Sequence, residues 1–254
     1  MKYLKLFESF KEEDIDSICR KYDINNYIIN KDGTIDVRGG VILSNKGLTE
    51  LPLKFRNVRG NFFCNDNELT SLEGSPQSVG GSFFCSDNKL KSLEGCPKSV
   101  GDSFYCSSNQ LTTLEGGPQS VKSFICGDNK LIKLNGSPKK CDQFICPGNE
   151  LTTLEGGPEE VSNFICYENK LKSLKGFPKK INKFNFEKNP CYLIYKDWIL
   201  TDEENRYMLF DLMEDYDFLR GDTINWYLLE AFFNDSGLEI PNRKELQKYY
   251  TIED

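Results

Sequence analysis

The sequence predicts an α/β-type repeat solenoid: short coils stacked along one axis, a parallel β-sheet on the inner face, and a cap at each end. Three observations predict it. One motif recurs at steps of 20 or 21 residues through the middle of the chain. Within each copy the first apolar residues alternate, as strand residues do, and later ones return at fixed turn positions. Units this short have no room for a helix beside the strand, so the outer side should be extended or 3₁₀ chain. A repeat at such a spacing means coils that bury their apolar faces only against neighbours.

Cysteine marks the recurrence at 64, 85, 106, 126, 146 and 166. Asn67, Asn88, Asn109, Asn129, Asn149, Asn169 and Asn189 follow the same steps, as do two leucine columns, from Leu69 to Leu171 and from Leu72 to Leu174. Gly74 to Gly176 and Pro76 to Pro178 mark the turn of each unit. A degenerate first copy, VILSNKGLTELP, has Lys46 in the Asn slot, and a degenerate last copy, KFNFEKNPCYLI, has Phe186 in the Cys slot. That gives eight units over residues 38–194.

The unit, seen in VKSFICGDNKLIKLNGSP (121–138), resembles the leucine-rich repeat, with Phe and Cys in place of the two strand leucines. The resemblance implies a parallel sheet on the concave face and a protein-binding role. The LEGSP and LEGGP copies behind MKYLKLFESF also look like short repeats of bacterial and tailed-bacteriophage proteins. The opening itself loosely resembles capsid-targeting leaders of internal phage proteins, with a capping helix as the other reading. That likeness implies a protein of the host cytosol that binds a host or defence protein, inhibition being one outcome.

Strand residues alternate faces. Phe83 and Cys85 therefore turn inward and Phe84 outward. The Asn side chain is expected to be buried and to bond backbone groups of adjoining turns, because buried polar groups are paired. VRGNF, VGGSF and VGDSF carry one residue more than VKSF, so coil width should shift where the step falls from 21 to 20.

Caps are expected on both flanks. Residues 1–37 read as an N-terminal cap. Tyr3, Phe7, Phe10, Ile15, Ile18 and Tyr22 fall at near-helical spacing, and YIINKDGTIDV (27–37) reads as a hairpin around Asp32-Gly33. Residues 195–254 read as a helical cap or subdomain. One helix is expected over 195–213. A second is expected in DTINWYLLEAFFNDSG, capped at Asp222/Thr223, with Ile224, Tyr227, Leu228, Ala231 and Phe232 on its inner face and Gly237 as its stop. A third should run from Pro241 to Tyr250.

The charge balance, 32 basic against 39 acidic side chains, lacks the basic stripe of a nucleic-acid binder. No stretch has the apolar length of a membrane helix, and the N-terminus lacks a secretory h-region. Both features point to the cytoplasm, where cysteines stay reduced. The sequence contains no histidine, the commonest general base and metal ligand. Six aligned cysteines could form a sulfur column, but zinc knuckles of the C-x-x-C kind are missing and the slots face inward. They read as small core residues, so no catalytic residue, metal or cofactor is assigned.

The outward strand position is the candidate site: Phe63, Phe84, Tyr105, Ile125, Ile145 and Ile165 form an apolar row along the concave sheet. Small or polar neighbours flank it, with Tyr167 on one side, and Asp66, Asp87, Asp128 and Glu168 make an acidic edge. An apolar centre with a polar rim is the anatomy of a protein interface. The expected partner is a protein or a second copy of the chain. The other readings are β-propensity alone, C-terminal helices folded back over the row, or an enzyme or ubiquitin-ligase-like activity in the acidic stretch MEDYDFLRGD (213–222). Base stacking on the aromatics is opposed by the acidic edge.

Overall fold

A computed structural model describes residues 14–199 and 216–254. Its centre is a parallel-strand β-solenoid of about eight turns. The concave sheet has eight parallel strands: β3 (Val41–Ile42), β5 (Phe62–Phe63), β7 (Phe83–Phe84), β9 (Ser103–Tyr105), β10 (Ser123–Ile125), β11 (Lys140–Ile145), β12 (Glu160–Ile165) and β13 (Lys180–Asn185). Each strand pairs only with the same strand of the adjoining coil, in strict repeat register: Phe83 faces Phe104 and Phe84 faces Tyr105. Opposite the sheet, the coils run as extended chain and turns.

A second, lateral sheet accounts for the change of step. The hairpin β1 (Tyr27–Ile29) and β2 (Ile35–Val37) leads into β4 (Phe55–Val58), β6 (Ser78–Val79) and β8 (Ser99–Val100). In these 21-residue coils the Val column and the Phe column belong to different sheets, and the extra residue turns the corner between them. Glycine is required there because the corners stack closely: a Cβ on Gly101 would lie 2.1 Å from the Gly80 carbonyl oxygen. In the last three 20-residue coils the corner disappears and one strand carries both columns, as β11 does with Cys141 and Phe144 buried. The amides of Asp142 and Gln143 share the Lys122 carbonyl, a local kink repeated in equal register by each coil, which lets two inward residues stand three apart.

The core is a set of columns. Phe62, Phe83, Phe104, Phe124, Phe144 and Phe164 are each 0% exposed, with successive ring centroids 5.2–5.5 Å apart. The Cys and Leu columns line the same interior. Between them runs the asparagine ladder. Each Asn from 67 to 189 aims Nδ2 at a carbonyl of the preceding coil, at 2.8–3.1 Å. Its Oδ1 accepts an amide of that coil at 2.9–3.1 Å. Tight stacking also explains the turn glycines. Gly136 has φ +90°, and a Cβ there would lie 2.3 Å from backbone atoms of Leu114 and Glu115.

At the N-terminal end, residues 14–21 are helical (α1), with Ile15, Ile18 and Tyr22 against the core. Tyr27 donates to Asp16, tying α1 to the hairpin at 2.5 Å. The expected contributions of Tyr3, Phe7 and Phe10 lie outside the described residues. Asp36 of β2 accepts from the Arg56 guanidinium and, at 2.8 Å, from Asn57 of β4. The Arg56 hydrogen bond holds the Asp36 carboxyl at about 2, below its ordinary 3.8.

The C-terminal flank is more mixed than the helical cap expected. Helix α2 (Tyr192–Ile199) follows the last coil, and the remainder of the helix expected to residue 213 lies outside the described residues. Beyond it, β14 (Leu219–Arg220), β15 (Thr223–Asn225) and β16 (Thr251–Glu253) form a small sheet with α3 (Trp226–Ser236) and the short α4 (Arg243–Leu246). The expected N-cap at Asp222/Thr223 is corrected to Asn225, whose side chain accepts from the Leu228 amide. Ile224 is buried as a strand residue, so the helix starts later and its inner face shifts to Leu229, Phe232 and Phe233. Tyr227, expected inside, is 72% exposed. The Gly237 stop is left-handed at φ 69°. The helix expected from Pro241 to Tyr250 is only α4, because the chain turns there to reach β16.

Candidate interaction surface

Alternation along each short strand sets the surface. Because Phe83 and Cys85 are buried, Phe84 between them must face the concave side, and the same logic places Phe63, Tyr105, Ile125, Ile145 and Ile165. All six are half-buried, and Ile42 at the N-terminal end is 63% exposed. Much of that shielding is mutual. Phe63 and Phe84 stack with centroids 4.5 Å apart and planes 10° apart, and Phe84 and Tyr105 stack at 4.5 Å and 6°. The rings lie closer here than in the inward column, as expected where coils converge toward a concave face.

Stacking fixes what these rings can offer. Their π-faces are turned toward one another along the solenoid axis, and their edges are left for a partner. A base or sugar ring stacked between two of them would need about twice the van der Waals thickness of a ring, and 4.5 Å holds only one such separation. The row is therefore an apolar ribbon of ring edges that continues into the three isoleucines, and it lacks the open stacking platforms of single-strand binders.

The borders differ from the sequence expectation. Ser82 and Ser103, expected on a polar rim, are buried beside the ribbon. Tyr167 is half-buried, two residues beyond Ile165. Asp87 and Asp128 are exposed, and their backbones are left-handed, with φ 55° and 52°. So are Asn45, Asp66, Ser108, Gly148, Glu168 and Lys188 in the same slot. Asp and Asn tolerate this conformation better than most residues, so the acidic edge has a backbone cause as well as an electrostatic consequence. The signal was in the sequence: the residue before each ladder Asn is chiefly Asp, Ser or Gly.

The other candidate chemistries are placed as follows. All ten cysteines are buried and free. Loss of hydration raises the thiols of Cys85, Cys106, Cys126, Cys146 and Cys166 well above their ordinary value, and raises Cys96 and Cys141 to about 12. The Cys85 thiol donates to the Tyr105 carbonyl at 3.2 Å. Among the described residues, no group of three or more His, Cys, Asp or Glu side chains is placed to hold a metal ion. No described helix is long and apolar enough to cross a membrane. In the acidic stretch, Asp217 pairs with Arg220 and Asp222 with Lys172, and Cys191 is 0% exposed in a leucine slot. Tyr250 donates to the Lys172 carbonyl at 2.8 Å. This bond and the Asp222–Lys172 ion pair attach the described C-terminal residues to the turn after Leu171.

No protein-family model matches the sequence, and no curated protein is similar to it. Among solved structures, YopM from Yersinia enterocolitica WA-314 is similar, at 15% identity and a TM-score of 0.36, over 59% of this chain and 47% of its own. The similarity therefore spans less than half of that protein.

Proposed function

We propose that this protein is a non-enzymatic protein-binding module whose docking surface is the concave ribbon from Phe63 to Ile165, with Tyr167, Asp87 and Asp128 at its border. The observation that carries the reading is the contrast between adjacent residues. Phe83 is locked into the core, whereas Phe84 turns a large apolar ring edge outward in a row of six. Contiguous apolar surface of more than a few hundred Å² is what soluble proteins reserve for partners. The first partner class is another protein. In the setting that the repeats resemble, this is a host or defence protein met in the cytosol. A second copy meeting face to face is the other occupant of the same surface.

The test is the double substitution Phe84→Glu with Tyr105→Glu. It should abolish complex formation or self-association in sedimentation velocity while the far-ultraviolet circular dichroism stays unchanged. Assembly that persists in the folded double variant would overturn the proposal.

A further inference from the structure

Taking the concave ribbon as a docking surface, we infer that its occupant is an amphipathic α-helix with basic residues along one flank. The inference rests on that reading and specifies the partner's chemistry. Three features lead to it.

The first is backbone satisfaction. The sheet beneath the ribbon uses its amides and carbonyls between coils, as in Cys85 N–H to Tyr105 O and Cys106 N–H to Ile125 O. The ribbon itself is ring edge and methyl. An extended peptide laid across it would leave its own polar backbone unpaired, which is why extended peptides bind at sheet edges and helices bind on faces.

The second is spacing. Six side chains at strand steps of about 4.8 Å make a ribbon about 24 Å long. Same-face residues of an extended chain recur at about 6.6 Å and fall out of step with these columns. A helical turn rises about 5.4 Å and stays close to step, and about 16 residues cover the length. The small residues beside the rings, Ser82, Ser103 and Gly127, leave the ring edges standing as a ridge that can enter a groove between helical side-chain rows.

The third is charge. Asp66, Asp87 and Asp128 are exposed on one border and have no ion pair among the described residues. On the opposite border Asp102 is bridged by Lys122 at 3.5 Å, so that side is close to neutral. One acidic border and one neutral border favour Lys or Arg along a single flank of the helix.

The experiment uses three synthetic 18-residue peptides and fluorescence anisotropy with the full chain. One is a Leu-striped helix with Lys on one flank. The second is the same helix with Glu on that flank. The third has the first composition rearranged to alternate. The Lys-flanked helix should bind at least about tenfold tighter than either of the others. Asp66→Asn with Asp87→Asn and Asp128→Asn should remove that preference without straining the left-handed backbone, which Asn tolerates. Phe84→Glu with Tyr105→Glu adds two negative charges. Non-specific attraction would then strengthen binding of the Lys-flanked helix, and docking on the ribbon would weaken it. Equal binding of all three peptides, or tighter binding to the Glu double variant, overturns the inference. If no peptide binds while the double variant still disrupts assembly in sedimentation, the helical partner is wrong and the ribbon reading survives.

Discussion

Replacing Asn109 by alanine tests how the coils are held together. Nδ2 of Asn109 lies 3.0 Å from the Cys85 carbonyl, 3.2 Å from Cys106 O and 3.1 Å from Ser107 O, and Oδ1 accepts from the Leu90 amide at 2.9 Å. Alanine removes all four contacts at a site only 8% exposed. The Leu90 amide then has no acceptor, whereas the Cys85 carbonyl loses its cross-coil donor but keeps Asn88 Nδ2 at 3.1 Å. An orphaned buried group costs about 1–3 kcal/mol. With one such group, and weaker satisfaction of three carbonyls that keep other donors, the loss should be about 2 kcal/mol. Asn109→Asp keeps the acceptor for Leu90 but turns a carboxylate toward three carbonyls, so it should cost at least as much at neutral pH. Urea denaturation followed by circular dichroism measures both, with the slope checked because repeat arrays can lose cooperativity. A loss below about 1 kcal/mol for Asn109→Ala, with the slope unchanged, would refute the claim that the ladder pairs otherwise orphaned groups.

Other predictions follow from the same stacking. Gly136→Ala should lower stability by more than about 2 kcal/mol in the same assay, because alanine at positive φ is strained and its Cβ meets the backbone of the preceding coil. The tie between Asp36 and Arg56 has a definite pH window. The folded carboxyl sits at about 2 against an ordinary 3.8, so its contribution is complete above the ordinary value and fades as pH falls toward the folded one. The stability difference between wild type and Asp36→Asn should therefore hold at neutral pH and shrink as pH falls between those values. A difference that grows on acidification contradicts the assignment. The ten buried thiols should react with Ellman's reagent only as fast as the protein opens, and all should react promptly in denaturant. Prompt labelling of any of them in the folded protein would show a cysteine outside its core slot.

The repeat was readable because one constraint, stacking, acts on every coil. A slot that must be inward, left-handed or hydrogen-bonded is so in coil after coil, and the spacing of the seven asparagines from Asn67 to Asn189 displays it. The split into two sheets was visible only as an extra residue beside Gly80 and Gly101, since the corner it makes depends on how neighbouring coils approach. Outward Phe84 followed from alternation, but its stacking between Phe63 and Tyr105 did not, because ring orientation is set across coils. The flanks lack such repetition. In DTINWYLLEAFF the strand β15 precedes the helix, and Ile224 fits either period. A single copy of the pattern could not say where period two gives way to 3.6. The pairing that settles it runs from Ile224 to Ile252, far along the chain.

A photo-cross-linking residue at position 84 asks most directly whether the ribbon is where a partner sits. The control is the same residue at position 132, where Ile132 is 55% exposed between the inward Leu131 and Leu134. With cross-linking carried out in the cells that express the protein, the account predicts a discrete polypeptide adduct, to a partner or a second copy, from position 84 and none from position 132. Adducts from position 132 alone, with position 84 unreactive, would contradict it.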